Sequence, residues 1–505
     1  MTTPDRRSYR FGPLDRGGWI LGMAGSQCIA MAIGILAGGF LLDRGAPAPL
    51  VIVPVIAAAA FAFGSIARTP VYELAPPAAR FALSSGLGRN TWLAELPLLT
   101  GTFEDGRRDP PLPPFLAGLS LFDAGPVPWA PLSGAAGVGV VLDRSRRTAS
   151  ASVRVAGRDF SLLERADQER LIQLWGDALA GFCTERTAVE SVRVSEWAAP
   201  AGVAQHERYL STAGAASAGS EPHRSYEELL AEAGPVATSH DVLITVTVAT
   251  RQIRKRPVGA PHGDAAAVEA LLEELRLLVA RLEVGGLTVE GPLSVVETAE
   301  ALRLRCDPKV AGTLETRRRS LAALVGAVSR YNAGPLSTDT KWSALQIDGS
   351  LHRTYWIAEW PRLEVGPNWL EPLLLHAGGV RSFAIHYEPV PPSRAFRRID
   401  RDATRLGADE EQRSRSGFRI GARHRRAEEA VLEREAELVA GYAELEFVGF
   451  VTVTAAAESD LWAACAEYEQ AAAQAGLEIR PLDGRHDAGF ACTLPVGRGL
   501  ARRWS

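Results

Sequence analysis

The hydrophobic pattern is strongest at the start of the chain, where two long runs carry no charged side chain. Residues 17–42 read GGWILGMAGSQCIAMAIGILAGGFLL, and residues 45–67 read GAPAPLVIVPVIAAAAFAFGSIA. An α-helix rises about 1.5 Å per residue, so either run is long enough to cross the roughly 30 Å hydrocarbon core of a bilayer. The pattern therefore predicts a transmembrane hairpin over residues 1–70, with spans at about 18–42 and 48–67 and a kink at Pro54.

The flanking charges predict how this hairpin is oriented. The short connection between the runs contains one basic residue, Arg44, whereas the basic residues outside the runs are Arg6, Arg7, Arg10, Arg16, Arg68 and Arg80. By the positive-inside rule, both termini and the main body are expected in the cytoplasm, with the hairpin in the plasma membrane. A cleaved signal peptide and a buried helix pair of a soluble core are the competing interpretations. The length of the first run and the second run directly after it disfavour both.

Downstream of the apolar runs, the pattern changes to short segments typical of strands and helices. Residues 71–135 are rich in Pro and Gly and predict an irregular lead-in with short strands. GVGVVLD and TASASVRVA alternate like two paired strands, and the apolar spacing over residues 160–182 predicts a helix with Asp167 as its N-cap. VRVSEWAAP and VLITVTVAT predict strands, and residues 264–282 predict a helix. LTVEGPLS and a helix near residues 318–331 complete this unit.

The last third of the chain repeats this alternation. Strands are predicted for HRTYWIAEW, RSFAIHYEPV, LEFVGFVTVTA, LEIRPLD and AGFACTL. Helices are predicted for NWLEPLLLH and SDLWAACAEYEQAAAQAG, and a long charged helical region covers about 392–441. The predicted fold class is a membrane α-helical hairpin plus cytoplasmic α+β domains with ferredoxin-like sheet and helix layers. We expect α+β subdomains at 71–205, 226–335 and 336–505, and a linker or flexible loop at 206–225.

Composition and charge add few constraints. At 505 residues, with 47% hydrophobic and 23% charged residues, the chain has room for several domains of ordinary globular character. The net charge of −4 produces no global field that would attract nucleic acid. The five cysteines form no CxxC pair, which indicates buried, reduced thiols in a cytoplasmic body.

The sequence contains no catalytic signature. A nucleotide-binding P-loop needs glycines followed by a lysine that reaches the phosphates, but none of the three lysines follows a glycine. GLGRNT at residues 86–91 lacks the third glycine of a dinucleotide-binding loop and predicts a turn. GxSxG and HExxH motifs are absent, and His376 and His386 have no Cys or Asp cluster around them in the sequence. We therefore predict no catalytic, cofactor-binding or metal-binding residues and no enzymatic activity.

The most unusual soluble segment is the Arg-rich stretch at residues 394–434, in which acidic residues interleave with the arginines. Three interpretations remain open: a solvated helix pair with ion pairs four residues apart, a protein-docking surface, and a surface that contacts nucleic acid or lipid. The interleaved acids disfavour the last interpretation, because phosphate binding favours unopposed basic charge.

Several blocks of the chain resemble secretion proteins. Five blocks are TYWIAEWPRLEV, WLEPLLL, VRSFAIHYEPVPPSRAFRRI, REAELVAGYAELEFVGFVTVTA and DGRHDAGFACTLPVGRGL. They resemble the N-terminal, non-ATPase domain of type IV secretion (conjugation) ATPases. FSLLERADQERLIQLWGDALAGF resembles an earlier helix of that domain. The hairpin, preceded by YRFGPLDRGGWILG, is similar to the two-helix inner-membrane subunit of those systems, the PrgI-like family. Over residues 5–500 the chain looks like actinobacterial membrane proteins that join the two.

The resemblance implies a scaffold without a motor. In the full ATPases a motor domain follows the LP-x-GR region, whereas residues 494–498 here are followed only by GLARRWS. We therefore expect a membrane scaffold of a type IV secretion or conjugation-like system that docks a separately encoded ATPase. The contacts would be made by the Arg-rich helices and the strand at residues 445–455.

The expected partners are the lipid bilayer and that ATPase. A homo-oligomer is a further candidate, and direct nucleic-acid contact is not expected. Two alternatives stay open: a membrane component of a type VII (ESX-like) secretion complex, and a membrane-anchored enzyme of unrecognised type.

Overall fold

The computed structural model describes residues 25–66, 69–94, 112–130, 136–156, 160–200, 220–233, 238–253, 263–311, 333–376, 379–415 and 421–499. Parts of several sequence predictions lie outside these residues. They are the start of the first apolar run with its preceding arginines, most of the linker predicted at 206–225, and the helix predicted near 318–331. The boundaries of the three expected subdomains stay predictions.

Twelve α-helices and fifteen strands are present in the described residues. The helices are α1 (Gly25–Asp43), α2 (Ala48–Phe63), α3 (Val71–Gly86), α4 (Arg165–Ala180), α5 (Glu221–Ala233), α6 (Asp264–Val284), α7 (Val295–Cys306), α8 (Glu371–Leu374), α9 (Pro392–Arg415), α10 (Ala422–Val439), α11 (Glu458–Gln474) and α12 (His486–Thr493). The strands are β1 (Ser65–Ile66), β2 (Thr69–Pro70), β3 (Thr91–Leu93), β4 (Leu119–Asp123), β5 (Gly139–Asp143), β6 (Thr148–Ala156), β7 (Val189–Pro200), β8 (Thr238–Ala249), β9 (Thr288–Pro292), β10 (Ser337–Thr340), β11 (Leu345–Ile347), β12 (Ser350–Glu359), β13 (Val380–Pro389), β14 (Leu445–Ala455) and β15 (Glu478–Pro481).

Thirteen of the described strands form one antiparallel sheet. Its order is β3-β10-β11-β12-β14-β13-β7-β8-β6-β5-β4, with β15 paired to β12 and β9 paired to β6. The strands β1 and β2 form a separate two-stranded hairpin. The predicted pairing of GVGVVLD with TASASVRVA is confirmed, because β5 and β6 are neighbours in the sheet.

The predicted fold class is wrong. We expected a two-helix membrane hairpin followed by small ferredoxin-like domains, whereas strands between residues 91 and 481 join in one large sheet. The central pair, β7 and β13, is antiparallel and runs from Val192 opposite Tyr387 to Ala198 opposite Arg381. The alternation of side chains shows which face of a strand is apolar but does not show its partner, so the sequence pattern could not reveal this continuous sheet.

The sheet consists of two halves with the same order of elements. The first half contains β5, β6, α4, β7, α5, β8, α6, β9 and α7, and the second contains β11, β12, α8, β13, α9 with α10, β14, α11, β15 and α12. In each half the long hairpin strand, β6 or β12, pairs with its hairpin partner, β5 or β11. It also pairs with the strand that follows the sheet-covering helix, which is β9 after α6 and β15 after α11. Because the equivalent strands β7 and β13 pair antiparallel, an approximate two-fold rotation relates the connectivity of the halves.

One face of the sheet is covered by helices that bury aliphatic and aromatic side chains. In the first half, α6 buries Leu271, Leu275 and Leu278 against β6 and β8, and α4 packs beside it. In the second half, α11 buries Leu461 and Tyr468 against β12 and β14. Each fully buried leucine contributes on the order of 1.5–3 kcal/mol relative to exposure, so these two helices are main sources of stability.

The opposite face of the sheet is buried as well, but it is polar. Hydroxyl groups of neighbouring strands bond to each other, with 2.8 Å between Ser152 Oγ and Thr245 Oγ1 and 2.9 Å between Thr354 Oγ1 and Thr452 Oγ1. The helices α7 and α12 contact this side of the sheet through β5 and β12, respectively. The hydroxyl pairs satisfy each other, which offsets the cost of removing them from water.

Residues 494–499 cross the polar face where the two halves meet. The guanidinium of Arg193, on β7, donates to the carbonyls of Leu494 and Arg498. Arg498 in turn pairs with the buried Asp143 on β5, with 2.7 Å between Nε and Oδ2, and donates to the carbonyl of Ala117 at 2.5 Å. Residues 494–499 are thereby fixed to strands from early in the sequence.

The helices α1 and α2 pack against each other as an antiparallel pair through small residues. A Cβ on Gly34 would lie 2.4 Å from the Cβ of Ala58, and one on Gly38 would lie 2.9 Å from the carbonyl oxygen of Val51. Among the described residues, α1 alone is long and apolar enough to cross a membrane, judged by length and composition, and α2 has 16 residues. The prediction of two spans is thus not confirmed for the second.

Three local predictions are also wrong. Residues 71–86 form α3 instead of an irregular lead-in, with Pro76 and Pro77 inside the helix. AGFACTL belongs to α12 and not to a strand; such a short apolar segment fits either structure, and packing on the sheet decides. The N-cap of α4 is Glu164, and Asp167 lies in its first turn, where a carboxylate still favours the helix dipole.

Candidate docking surface

The Arg-rich segment forms an antiparallel helix pair, α9 and α10, which we call the helical arm. An ion pair joins the two helices midway, with 2.8 Å between Arg434 Nη2 and Asp402 Oδ2. Along α9, Arg415 pairs with Glu411 one turn earlier, while the Arg401 guanidinium donates to the carbonyl of Arg397. The predicted long charged helical region is therefore confirmed, and some of its arginines bond within their own helix.

The base of the helical arm is fixed to both halves of the sheet. Glu185, which follows α4, accepts hydrogen bonds from the Ser393 backbone N–H at 2.6 Å and from the Ser393 hydroxyl at 2.9 Å. A carboxylate at this position favours the helix because it faces the positive end of the helix dipole. Ile399, six residues further along α9, is buried, and Arg398 pairs with Glu444 at 3.6 Å. These contacts fix the direction in which the arm leaves the sheet.

Large apolar side chains are exposed around this base. Val439 and Tyr442, at the end of α10, are 72% and 70% exposed, and Phe396 and Phe447 are each 41% exposed. The register set by Asp402 and Arg434 brings the end of α10 to the level of Phe396 in α9. We call Phe396, Val439 and Tyr442 the basal patch. Exposed apolar groups of this kind, bordered by charge, are typical of protein-interaction surfaces.

Most of the strand at residues 445–455, which we expected to take part in the contact, is buried inside the sheet. As β14 it lies between β12 and β13, so both of its edges are hydrogen-bonded, and residues 449–454 are buried. Only its beginning reaches the surface, where Phe447 contacts Trp360 with 5.0 Å between the ring centroids. Contact through the exposed start of this strand stays a prediction, while its inner part is unavailable; period-two alternation does not distinguish an inner strand from an edge strand.

His376, His386 and the buried cysteines make contacts that are typical of residues with a structural role. His386 Nε2 lies 2.8 Å from the carbonyl oxygen of Cys492, and burial lowers the pKa of His386 well below its ordinary value. His376 lies 3.4 Å from a Glu467 carboxylate oxygen. The cysteines other than Cys28 are buried, and burial raises the pKa of Cys183 to about 11. Such thiols are mostly protonated at neutral pH and are poor nucleophiles.

The GLGRNT segment has no geometry for binding phosphate. The helix α3 ends at Gly86, Gly88 has a positive φ of 65°, and β3 begins at Thr91. The segment thus connects a helix to a strand, whereas a phosphate-binding loop connects a strand to the N-terminus of a helix. The predicted turn is confirmed.

The fold and this surface define an apolar N-terminal helix pair followed by a single-sheet body that carries a projecting helical arm. No protein-family model and no curated protein matches the chain. The kind of protein is therefore defined here by its fold, and the basal patch is the clearest candidate for a functional site.

Proposed function

We propose that the chain is a membrane-attached scaffold of a type IV secretion or conjugation-like system, and that the basal patch docks a separately encoded ATPase. The observation that carries the proposal is the exposed apolar patch at an anchored base. Aromatic residues are enriched at the cores of protein interfaces, and tyrosine is among the residues that most often contribute a large share of the binding energy. The resemblance of the surrounding blocks to the non-motor domain of secretion ATPases supports the choice of partner.

Charges of both signs lie beside the basal patch. Between residues 394 and 405, α9 carries five arginines and two aspartates, whereas residues 433–446 carry five glutamates and one arginine. Arg398 is paired with Glu444, and Arg397 bonds within its own helix. Such mixed charge would fix the orientation of a partner more than it would raise the affinity.

The apolar N-terminal helices support attachment to a membrane. Most side chains of α1 are exposed, including Ile33 at 62% and Leu36 at 72%, so α1 is not the buried core helix of a soluble protein. Its 19 residues extend about 28 Å, close to the thickness of the hydrocarbon core. The finer proposal is a plasma-membrane protein in which α2 crosses as well, with both termini and the body in the cytoplasm.

Labelling with a membrane-impermeant maleimide tests this topology in intact cells. Arg44→Cys, in the connection between α1 and α2, is expected to react, and Ser85→Cys, at the end of α3, is expected to stay protected until the cells are opened. Reaction of both positions would place the body outside. Reaction of neither position before the cells are opened would contradict the crossing.

Capture of the tagged full chain from native membranes in mild detergent, read by mass spectrometry, tests the docking proposal. A P-loop ATPase is expected among the recovered proteins, and Tyr442→Asp together with Val439→Asp should lower its yield at least about tenfold, the effect of losing about 1.4 kcal/mol. The matched control is Leu93→Asp, which changes a 74% exposed leucine on the edge strand β3, separated from β14 by three strands, and should leave the yield unchanged. Recovery of type VII components, or equal losses for the patch and control variants, would contradict the proposal.

A further inference from the structure

A histidine and two glutamates meet across the helical arm. Glu410 lies on α9, and His424 and Glu428 lie one turn apart on α10; one ligand atom from each lies within 4.8 Å of the other two. Residues four apart in a helix project from the same face, so His424 and Glu428 can bind one ion together. Glu410 adds a donor from the opposite helix.

The imidazole of His424 lacks a partner that its burial requires. Only 8% of His424 is exposed, and among the described residues its buried Nε2 has no hydrogen-bond partner. A buried polar atom left unsatisfied costs on the order of 1–3 kcal/mol, so such atoms are rare unless something else binds them. On the other side of the ring, an Asp409 carboxylate oxygen lies 3.7 Å from Nδ1. A carboxylate there favours the tautomer with the proton on Nδ1, which leaves Nε2 with a free lone pair.

We propose that Glu410, His424 and Glu428 form a binding site for a divalent transition-metal ion, with Zn²⁺ as the expected occupant. One imidazole nitrogen and two carboxylates suit Zn²⁺, whereas Mg²⁺ and Ca²⁺ prefer oxygen donors alone. Three protein ligands leave a fourth position for water or for a group from a partner. Glu428 is exposed, so an ion can reach the site from solvent.

The bound ion would join the two helices of the arm. The Asp402–Arg434 pair holds the arm midway, and the three ligands lie nearer to the ends that residues 416–420 connect. An ion bound by both helices stabilises the conformation in which the ligands converge, because it binds that conformation alone. The site thereby gives the arm a metal-dependent rigidity, whatever partner docks at its base.

Zinc titration of the full chain in detergent, after chelator treatment and in competition with a chromophoric chelator, tests the site. Wild type is expected to bind one equivalent tightly, and Glu410→Gln and Glu428→Gln should each weaken it at least tenfold. Both substitutions change partly or fully exposed side chains, so the fold is retained even if His424→Gln perturbs packing. The control is His223→Gln, which alters a similar pair in α5: His223 lies 3.3 Å from Glu227, and no third donor joins them in the described part of the chain, so binding should be unchanged.

Substitution of Co²⁺ for zinc distinguishes this site from the cysteines. Cobalt bound by imidazole and carboxylates shows visible d–d bands without a thiolate charge-transfer band in the near ultraviolet, and the Glu410→Gln variant should lose the visible bands. A thiolate band in wild type, or zinc affinity unchanged in both glutamate variants, would overturn the proposal. Neither measurement involves the ATPase, so the outcome is independent of the docking proposal.

Discussion

The buried ion pair between Arg498 and Asp143 is expected to be essential for holding the C-terminal segment on the sheet. Asp143 is 2% exposed, and besides Arg498 it accepts hydrogen bonds from the Ser145 backbone N–H at 2.9 Å and its hydroxyl at 2.5 Å. Burial acts to raise the pKa of Asp143, but the bonds from Arg498 and Ser145 outweigh it and hold this pKa below its ordinary value.

Arg498→Met is expected to lower the free energy of unfolding by about 3 kcal/mol. Breaking a buried ion pair by removing one partner costs about 3–5 kcal/mol, because the other charge stays buried. The bonds from Ser145 to Asp143 place the loss at the lower end of this range, and the carbonyls of Phe115 and Ala117 lose a donor as well. The exposed ion pair of Arg170 with Asp167 provides the control, and Arg170→Met should cost less than about 1 kcal/mol.

Urea unfolding of the full chain in detergent, followed by the fluorescence of its 11 tryptophans, measures these changes. Adding Asp143→Asn to Arg498→Met removes the buried carboxylate charge that has lost its partner. The double variant should therefore lose about 0.5–3 kcal/mol less stability than the sum of the two single losses. If Arg498→Met unfolds within about 0.5 kcal/mol of wild type, or if the two losses simply add, the reasoning is refuted.

The same unfolding assay checks three more predictions. Gly497→Ala should be strongly destabilising, because φ is 69° and the added Cβ would lie 1.9 Å from Ser150 Oγ, whereas Gly88→Ala, with φ of 65° and open space around it, should cost only about 1 kcal/mol of backbone strain. Leu275→Ala should cost about 2–5 kcal/mol through the cavity left in the core, and a loss under about 1 kcal/mol would contradict that packing. Burial lowers the pKa of His352 to about 4, below its unfolded value of about 6.5, so the unfolded state binds more protons between these values. Stability from this group is complete above pH 6.5 and should fall by about 3 kcal/mol as the pH drops to 4, a loss that should be absent in His352→Gln.

Much of the local structure could be predicted from particular residues. The spacing of Val268, Leu271 and Leu275 predicted the helix that covers the first half, and the alternation in VLITVTVAT predicted the strand that α6 covers. The Arg-rich segment was correctly predicted to be a long helical region. These predictions depend on the period of side chains along one element, which neighbours in the sequence determine.

The candidate site depended on contacts that the sequence pattern does not contain. His424 and Glu428 are one turn apart in the sequence, but Glu410 joins them only because α9 and α10 pack antiparallel. The basal patch likewise combines Phe396 with Val439 and Tyr442, which are separated by about 40 residues. No local signal marked these residues, because apolar side chains at helical spacing normally face a core.

The sequence by itself determined the apolar N-terminal helices, most strands and helices, and the absence of a P-loop motif. Only the tertiary structure decided that β7 and β13 unite two similar halves in one sheet and that the chain end is bound by Arg193. The physical reason is that side-chain periodicity shows which face of an element is buried, while strand pairing is made by backbone N–H and C=O groups that are the same in every strand. Which strands pair therefore depends on which arrangement buries the apolar faces of all the strands and helices at once.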